Sequence, residues 1–118
     1  MNKAYYFLIA NIFLLVTGQI LWKLSFNKSP LVINSAGILR LIKDPLIWGG
    51  LILFGLATLL WFVVLSNLNL SVAYPLQSIS YIIGILAAII IFREKVVLIQ
   101  WLGMLFILLG VYLVSRTS

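Results

Sequence analysis

Four long apolar runs, separated by short polar or charged breaks, dominate the sequence. A helix needs roughly 20 residues to cross a hydrocarbon core about 30 Å thick. We therefore predict an all-α integral membrane protein in which residues 1–118 form a single four-helix transmembrane domain. The predicted spans cover about residues 4–22, 46–65, 72–92 and 97–114.

The composition indicates that lipid is the main solvent of this chain. Hydrophobic residues account for 64% of it and charged residues for 8%, whereas a soluble domain has about 25% charged residues. Because the chain lacks Cys and His, it has no disulfide and no Cys or His metal site. We predict that it is not an enzyme and has no cofactor and no metal. The net charge of +6 does not indicate nucleic-acid binding, because the basic residues lie at helix boundaries rather than on one soluble face.

Two of the breaks contain specific helix-boundary residues. Asp44 is predicted to cap the second membrane helix, with Pro45 at its first helical position. A charged triplet at 93–95 separates the third and fourth runs, and it is too costly to keep in hydrocarbon. We therefore predict a short aqueous turn there, in which Glu94 has a local salt-bridge or turn role.

The segment at about 33–43 mixes apolar residues with two basic residues, Arg40 and Lys43, that share a face at helical spacing. This pattern favours a short interfacial helix in the headgroup zone. An ordered loop is the alternative.

The distribution of basic residues predicts an orientation. Six of them lie on the side that carries the 1–2 and 3–4 connections, and two lie on the other side. The positive-inside rule then places both connections in the cytoplasm and both termini outside. The first group is Lys23, Lys28, Arg40, Lys43, Arg93 and Lys95, and the second is Lys3 and Arg116.

Polar residues near the end of the first span form one candidate site. Gln19 and Lys23 are four residues apart and share a helix face, and Gly18 lets another backbone come close beside them. One interpretation is a site for a phosphate or a sugar, with Lys23 supplying charge near the membrane edge. The other is interhelical hydrogen bonding with Lys23 snorkelling to the interface.

A second candidate site lies on the third predicted helix. Tyr74, Gln77, Ser78 and Tyr81 fall at i, i+3, i+4 and i+7, which places them on one stripe. Pro75 falls in the first turn or so of this helix, where a missing amide donor costs little. The stripe is uncharged and rich in hydroxyls and amides, so it suits a polyhydroxyl compound such as a sugar. The alternative is helix packing through side-chain hydrogen bonds.

The fourth helix carries Gly103 and Gly110, seven residues apart on one face. This arrangement suits close contact between helices and is a candidate dimer seam.

Four short helices with Gly18, Lys23 and the small residues of helix 4 resemble the small multidrug resistance family, within the drug/metabolite transporter superfamily. The resemblance implies a bundle of that kind that dimerises. In that family a membrane-embedded Glu lies three residues before the helix 1 glycine, and here the position is Leu15. The proton- and cation-binding group of that mechanism is therefore missing.

A closer resemblance covers nearly the whole chain and is to the small EamA-type proteins, including flippase subunits for undecaprenyl phosphate-linked aminoarabinose. It implies transfer of a polyprenyl phosphate-linked sugar across a bacterial cytoplasmic (inner) membrane by a homodimer, or by a heterodimer with a second four-helix subunit. The matching positions are Gly18-Gln19, Lys23, Leu60-Trp61, Val64-Leu65, Asn67, Ala73-Tyr74-Pro75, Ser78, Leu86-Ala87-Ala88, Glu94, Trp101, Gly103 and Gly110.

Under this hypothesis Lys23 attracts the phosphate, and the other candidate residues line the headgroup route. They are Gln19, Tyr74, Gln77, Ser78 and Tyr81. Two alternatives stay open: a small-molecule or drug exporter of the small multidrug resistance type, and an accessory membrane subunit of a glycolipid pathway.

Overall fold

The computed structural model of this chain describes residues 3–116, and helices account for most of that range. Four segments are long and apolar enough to cross a membrane, and the third of them combines two consecutive helices. The predicted class, an all-α membrane protein with four spans, is confirmed. The helices are α1 (Ala4–Lys28), α2 (Ser35–Lys43), α3 (Pro45–Asn67), α4 (Leu70–Gln77), α5 (Ile79–Ile91) and α6 (Leu98–Ser115).

The first helix is longer than its apolar run. It was predicted to end near residue 22, but it continues to Lys28. Polar residues do not by themselves end a helix, and here the end is set by the backbone. Ser29 is extended, with φ −154° and ψ 107°, as expected for a residue that precedes a proline.

The third span was predicted as one continuous helix, and it is broken at Ser78. The helix begins at Leu70, two residues before the predicted start, so Pro75 lies in its interior and not in its first turn. Proline has no amide hydrogen and clashes with the preceding turn, which disrupts the helical ladder. The Ser78 amide and hydroxyl both donate to the Pro75 carbonyl, and α5 starts at the next residue.

The segment before the second span is helical, and side-chain caps mark its start and the start of the helix that follows it. The Asn34 side chain accepts a hydrogen bond from the Gly37 amide at 2.8 Å and starts α2. Asp44 caps α3 as predicted, because its Oδ1 accepts from the Leu46 amide at 2.9 Å and Pro45 is the first helical residue. The placement of α2 in the headgroup zone stays a prediction.

Helices α1 and α3 form the most intimate pair, and glycines allow the contact. A Cβ added at Gly18 would lie 3.2 Å from the Gly50 carbonyl oxygen, so Gly18 packs within this chain. A Cβ at Gly50 would lie 2.2 Å from Nε1 of Trp22, whose indole donates to the Ile47 carbonyl at 3.1 Å. The core continues through a buried cluster of Leu8, Ile12, Val64, Ala73 and Leu76.

Helix α6 packs only on α4 and α5, and Met104 is its one buried residue within the described range. Apart from the chain neighbours and the helix's own backbone, no atom of the described residues lies within 4 Å of a Cβ added at Gly103 or Gly110. Neither glycine therefore mediates a contact between helices of one chain, and the face that they share is open.

Candidate substrate-binding cleft

A partly open cleft of about 730 Å³ lies between α1, the third span and the turn after α5. It extends along the third span from Tyr74 to Glu94. The helical part of that stretch, up to Ile91, corresponds to about 25 Å at 1.5 Å per residue, close to the thickness of a hydrocarbon core. The lining consists of Leu15, Val16, Gln19, Ile20, Lys23, Tyr74, Gln77, Ser80, Tyr81, Gly84, Ile85, Ala87, Ala88, Phe92 and Glu94.

The cleft brings together residues from both sites predicted from the sequence. Gln19 and Lys23 of α1 face the same space as Tyr74, Gln77 and Tyr81 of the third span. These five side chains offer amides, phenols and one ammonium group, which can donate hydrogen bonds to a phosphate or exchange them with hydroxyls.

Ser78 is the predicted site residue that the structure leaves out of the cleft lining. Its hydroxyl donates to the Pro75 carbonyl at the break between α4 and α5. Ser80 lines the cleft instead. Ser78 was placed on the polar stripe on the assumption that the third span is one unbroken helix, but the helix is interrupted at this residue.

Gln77 is held in place by a polar network that crosses three helices. Its Nε2 donates to Oδ1 of Asn11 at 2.9 Å, and Asn11 Nδ2 donates to the Ala57 carbonyl at 2.6 Å. Asn11 is 1% exposed, so its amide depends on these partners. An Asn within an apolar run indicates from the sequence that a polar partner is needed. The sequence does not indicate which partners, because they lie 46 and 66 positions away.

The charged residues of the cleft lie at one end. Lys23 is near the end of α1 and Glu94 follows α5, and in a four-span chain these ends reach the same membrane boundary. Between residues 3 and 116 the one ion pair joins Arg40 and Asp44, so Lys23 and Glu94 are not paired with each other. The rest of the lining is uncharged.

Glu94 does not make the local salt bridge considered from the sequence. No basic side chain of the described residues lies within ion-pair distance of it, although Arg93 and Lys95 flank it. Its amide donates to the Ala88 carbonyl at 3.1 Å, which closes the turn, and the residue lines the cleft. The cleft therefore has its carboxylate at the membrane boundary. Leu15, which lies farther into the membrane three residues before Gly18, is apolar.

A second polar cluster fastens α2 to the membrane helices at the same boundary. The buried Ser25 hydroxyl donates to Asp44 Oδ2, and Arg40 Nη2 donates to the Ser25 carbonyl at 2.7 Å. The pKa of Asp44 is lowered below its ordinary value of 3.8, because its carboxylate accepts hydrogen bonds from Ser25 and from the Leu46 amide. The positive charges of Arg40 and Lys28 lower it further.

Comparison with known proteins identifies the family of this fold. The EamA-like transporter family matches residues 3–116, nearly the whole chain. The chain belongs to the EamA-like transporter family. The family resemblance predicted from the sequence is confirmed. No solved structure matches the chain.

Three relatives illustrate where this EamA-like chain lies within the family. It is 37% identical over 116 residues to a probable 4-amino-4-deoxy-L-arabinose-phosphoundecaprenol flippase subunit ArnF of Serratia proteamaculans (strain 568), covering 92% of this chain and 89% of the relative. Probable ArnE subunits of the same flippase are 37% identical over 76 residues in Pseudomonas fluorescens (strain Pf0-1) and 38% identical over 77 residues in Escherichia coli O81 (strain ED1a). These two alignments cover 64% of this chain, with 67% and 69% of the respective relatives.

With its four spans, this EamA-like chain is a multi-pass protein of a bacterial inner membrane. The relatives are named as probable subunits of a flippase, which agrees with a role in transport rather than in covalent chemistry.

Proposed function

We propose that this chain is a subunit of a flippase that moves a polyprenyl (undecaprenyl) phosphate-linked sugar across the cytoplasmic membrane. The observation that carries the proposal is the cleft itself. It follows the third span for about the thickness of the hydrocarbon core, has Lys23 at one end and is lined with neutral polar groups beyond it. The names of the relatives support the same substrate class.

The lining suits a sugar phosphate. Lys23 supplies the positive charge for the phosphate, and its position near the end of α1 keeps that charge close to water. Gln19, Tyr74, Gln77 and Tyr81 supply donors and acceptors for sugar hydroxyls along the cleft. Ser78 has no direct role in this proposal, because its hydroxyl is bound to the Pro75 carbonyl.

The apolar part of the lining suits the lipid tail. Leu15, Ile20 and Ile85 border the same cleft as the polar residues. Because the cleft is partly open, a prenyl chain can stay in the bilayer while the headgroup crosses. This arrangement avoids moving a long hydrocarbon chain through a polar path.

The transport unit is a dimer in this proposal, either of two copies or with a second four-helix subunit. The open face of α6 that carries Gly103 and Gly110 supports it, because glycines allow close approach of another helix. Helix α6 also has almost no buried residues in the single chain, since only Met104 is covered among those described. The names of the relatives as subunits agree with this.

Reconstitution into liposomes tests the function. The chain, alone and with a co-purified second subunit, is expected to move a labelled polyprenyl phosphate sugar between leaflets. Lys23→Gln is expected to slow this movement about tenfold, as for the loss of one charged hydrogen bond. Lys28→Gln is the matched control, because Lys28 is exposed on the same helix and does not line the cleft.

Two results would overturn the proposal. One is the absence of movement for a panel of headgroups when the partner subunit is present. The other is proton-coupled uptake of a quaternary amine, which would instead identify an exporter of the small multidrug resistance type. The apolar Leu15 in the cleft argues against that exporter, because proton coupling needs a titratable group in the membrane.

A further inference from the structure

Glu94 gives the cleft a negative charge that is not required for moving a phosphate-linked sugar whose sugar part is uncharged. Lys23 is sufficient for a phosphate, and the uncharged residues are sufficient for hydroxyls. A carboxylate at the same end of the cleft repels a phosphate, so its presence needs a separate reason. The two opposite charges indicate a headgroup that itself carries both signs.

The Glu94 carboxylate is available to a ligand. The structure from residue 3 to residue 116 has one ion pair, Arg40 with Asp44, and it gives the Glu94 carboxylate no hydrogen bond. Arg93 and Lys95 are its direct neighbours in sequence, yet neither is close enough to pair with it. The residue is exposed, so a ligand can reach its carboxylate.

The backbone of the turn, and not an ion pair, places Glu94 at the cleft. Arg93 has a positive φ of 54°, a conformation that is uncommon for a residue with a side chain. The chain then turns back on α5, where the Glu94 amide donates to the Ala88 carbonyl at 3.1 Å. Glu94 and Ala88 consequently line the same cleft.

We propose that Glu94 binds the ammonium group of an amino sugar, so that the cleft selects a zwitterionic headgroup with its phosphate at Lys23 and its amine at Glu94. This inference rests on the proposed function and names the substrate class of the same cleft. A hydrogen bond between an ammonium and a carboxylate is about twice as strong as one between neutral groups. An N-acetylated sugar has lost the positive charge, so it forfeits this interaction and leaves the carboxylate without a partner.

The test is a binding measurement with two matched lipids. The full chain in nanodiscs is titrated with a short-chain polyprenyl phosphate 4-amino-4-deoxypentose and with its N-acetylated form. The native chain is expected to bind the amine about tenfold more tightly. Glu94→Gln is expected to reduce that preference to within about twofold, because it weakens binding of the amine and does not weaken binding of the N-acetylated lipid.

Two control variants separate recognition from a disturbance of the turn. Glu94→Asp keeps the charge and is expected to retain most of the preference. Lys95→Gln changes the charge of the same turn at a residue that does not line the cleft, and it is expected to bind both lipids as the native chain does. A native chain without preference, or a Glu94→Gln variant that loses both lipids equally, would overturn the proposal.

Movement of the same two lipids in liposomes distinguishes this proposal from the proposed function. If the native chain moves both lipids at equal rates and binds them equally, the assignment of Glu94 is wrong and the flippase function stands. If, with the partner subunit present, it moves neither lipid but shows the Glu94-dependent preference in binding, the flippase function is wrong and the amine site stands.

Discussion

The side-chain amide of Gln77 donates a hydrogen bond to the side-chain oxygen of Asn11 at 2.9 Å, across 66 positions of the sequence. The side-chain amide of Asn11 in turn donates a hydrogen bond to the Ala57 carbonyl of α3. The network therefore ties α1, α3 and α4 together behind the cleft and fixes one of its lining residues. In lipid, such groups have no water to replace a lost partner.

Asn11→Leu is expected to destabilise the chain by about 1–2 kcal/mol, because two hydrogen bonds within the membrane are lost and Gln77 loses its acceptor. Thermal unfolding in detergent measures the change. Thr17→Val is the control on the same helix, since the Thr17 hydroxyl is exposed and donates only to the Phe13 carbonyl of its own helix. Equal unfolding temperatures for the two variants would show that the network contributes little.

The sequence predicts those features of the fold that depend on neighbouring residues. The lengths of the apolar runs define four spans, and the pair Asp44-Pro45 defines the start of α3. The end of α1 was predicted too early because hydrophobicity falls at Lys23, whereas the helix ends only where Ser29 precedes a proline.

The cleft could be predicted in part, because Gln19 and Lys23 share a helix face whatever the neighbouring helix is. Ser78 lies where the third span is interrupted and is not part of the cleft lining, so its assignment to the site stays a prediction. The position of Glu94 could not be predicted, since it depends on the left-handed backbone of Arg93 in a turn without glycine. The partners of Asn11 depend on how three helices pack, which no local pattern encodes.

Gly50→Ala is expected to destabilise the chain by about 1–3 kcal/mol, because the new methyl group would overlap the indole of Trp22. The indole cannot simply move away without losing its hydrogen bond to the Ile47 carbonyl. At Gly55 on the same helix, an added Cβ meets no described atom within 4 Å apart from its own helix backbone, so Gly55→Ala is expected to be neutral or to stabilise the helix slightly. The difference between their unfolding temperatures is the measurement, and an equal response would contradict the α1–α3 contact.

Acidification is expected to weaken the attachment of α2. The pKa of Asp44 is lowered in the folded chain, so its stabilising contribution is complete above the ordinary value of 3.8 and is lost as the pH falls through that value toward the lower folded pKa. Asp44→Asn is expected to remove this part of the pH dependence. Unfolding temperature measured from pH 7 downward tests the prediction, and the same acid profile in both chains would contradict it.

Gly110→Leu is expected to weaken association about tenfold while leaving the single chain folded, because within the described range no other part of the chain lies within 4 Å of a Cβ at this position. Cross-linking in membranes and the fraction of dimer in detergent measure association, and helicity with unfolding temperature measures the fold of the chain. Gly55→Leu is the matched control, since Gly55 is equally open but lies on α3. If both variants dimerise like the native chain, the face of α6 that carries Gly103 and Gly110 is not the interface. If both weaken association to the same degree, the interface extends beyond α6, and the glycines are not its specific determinant.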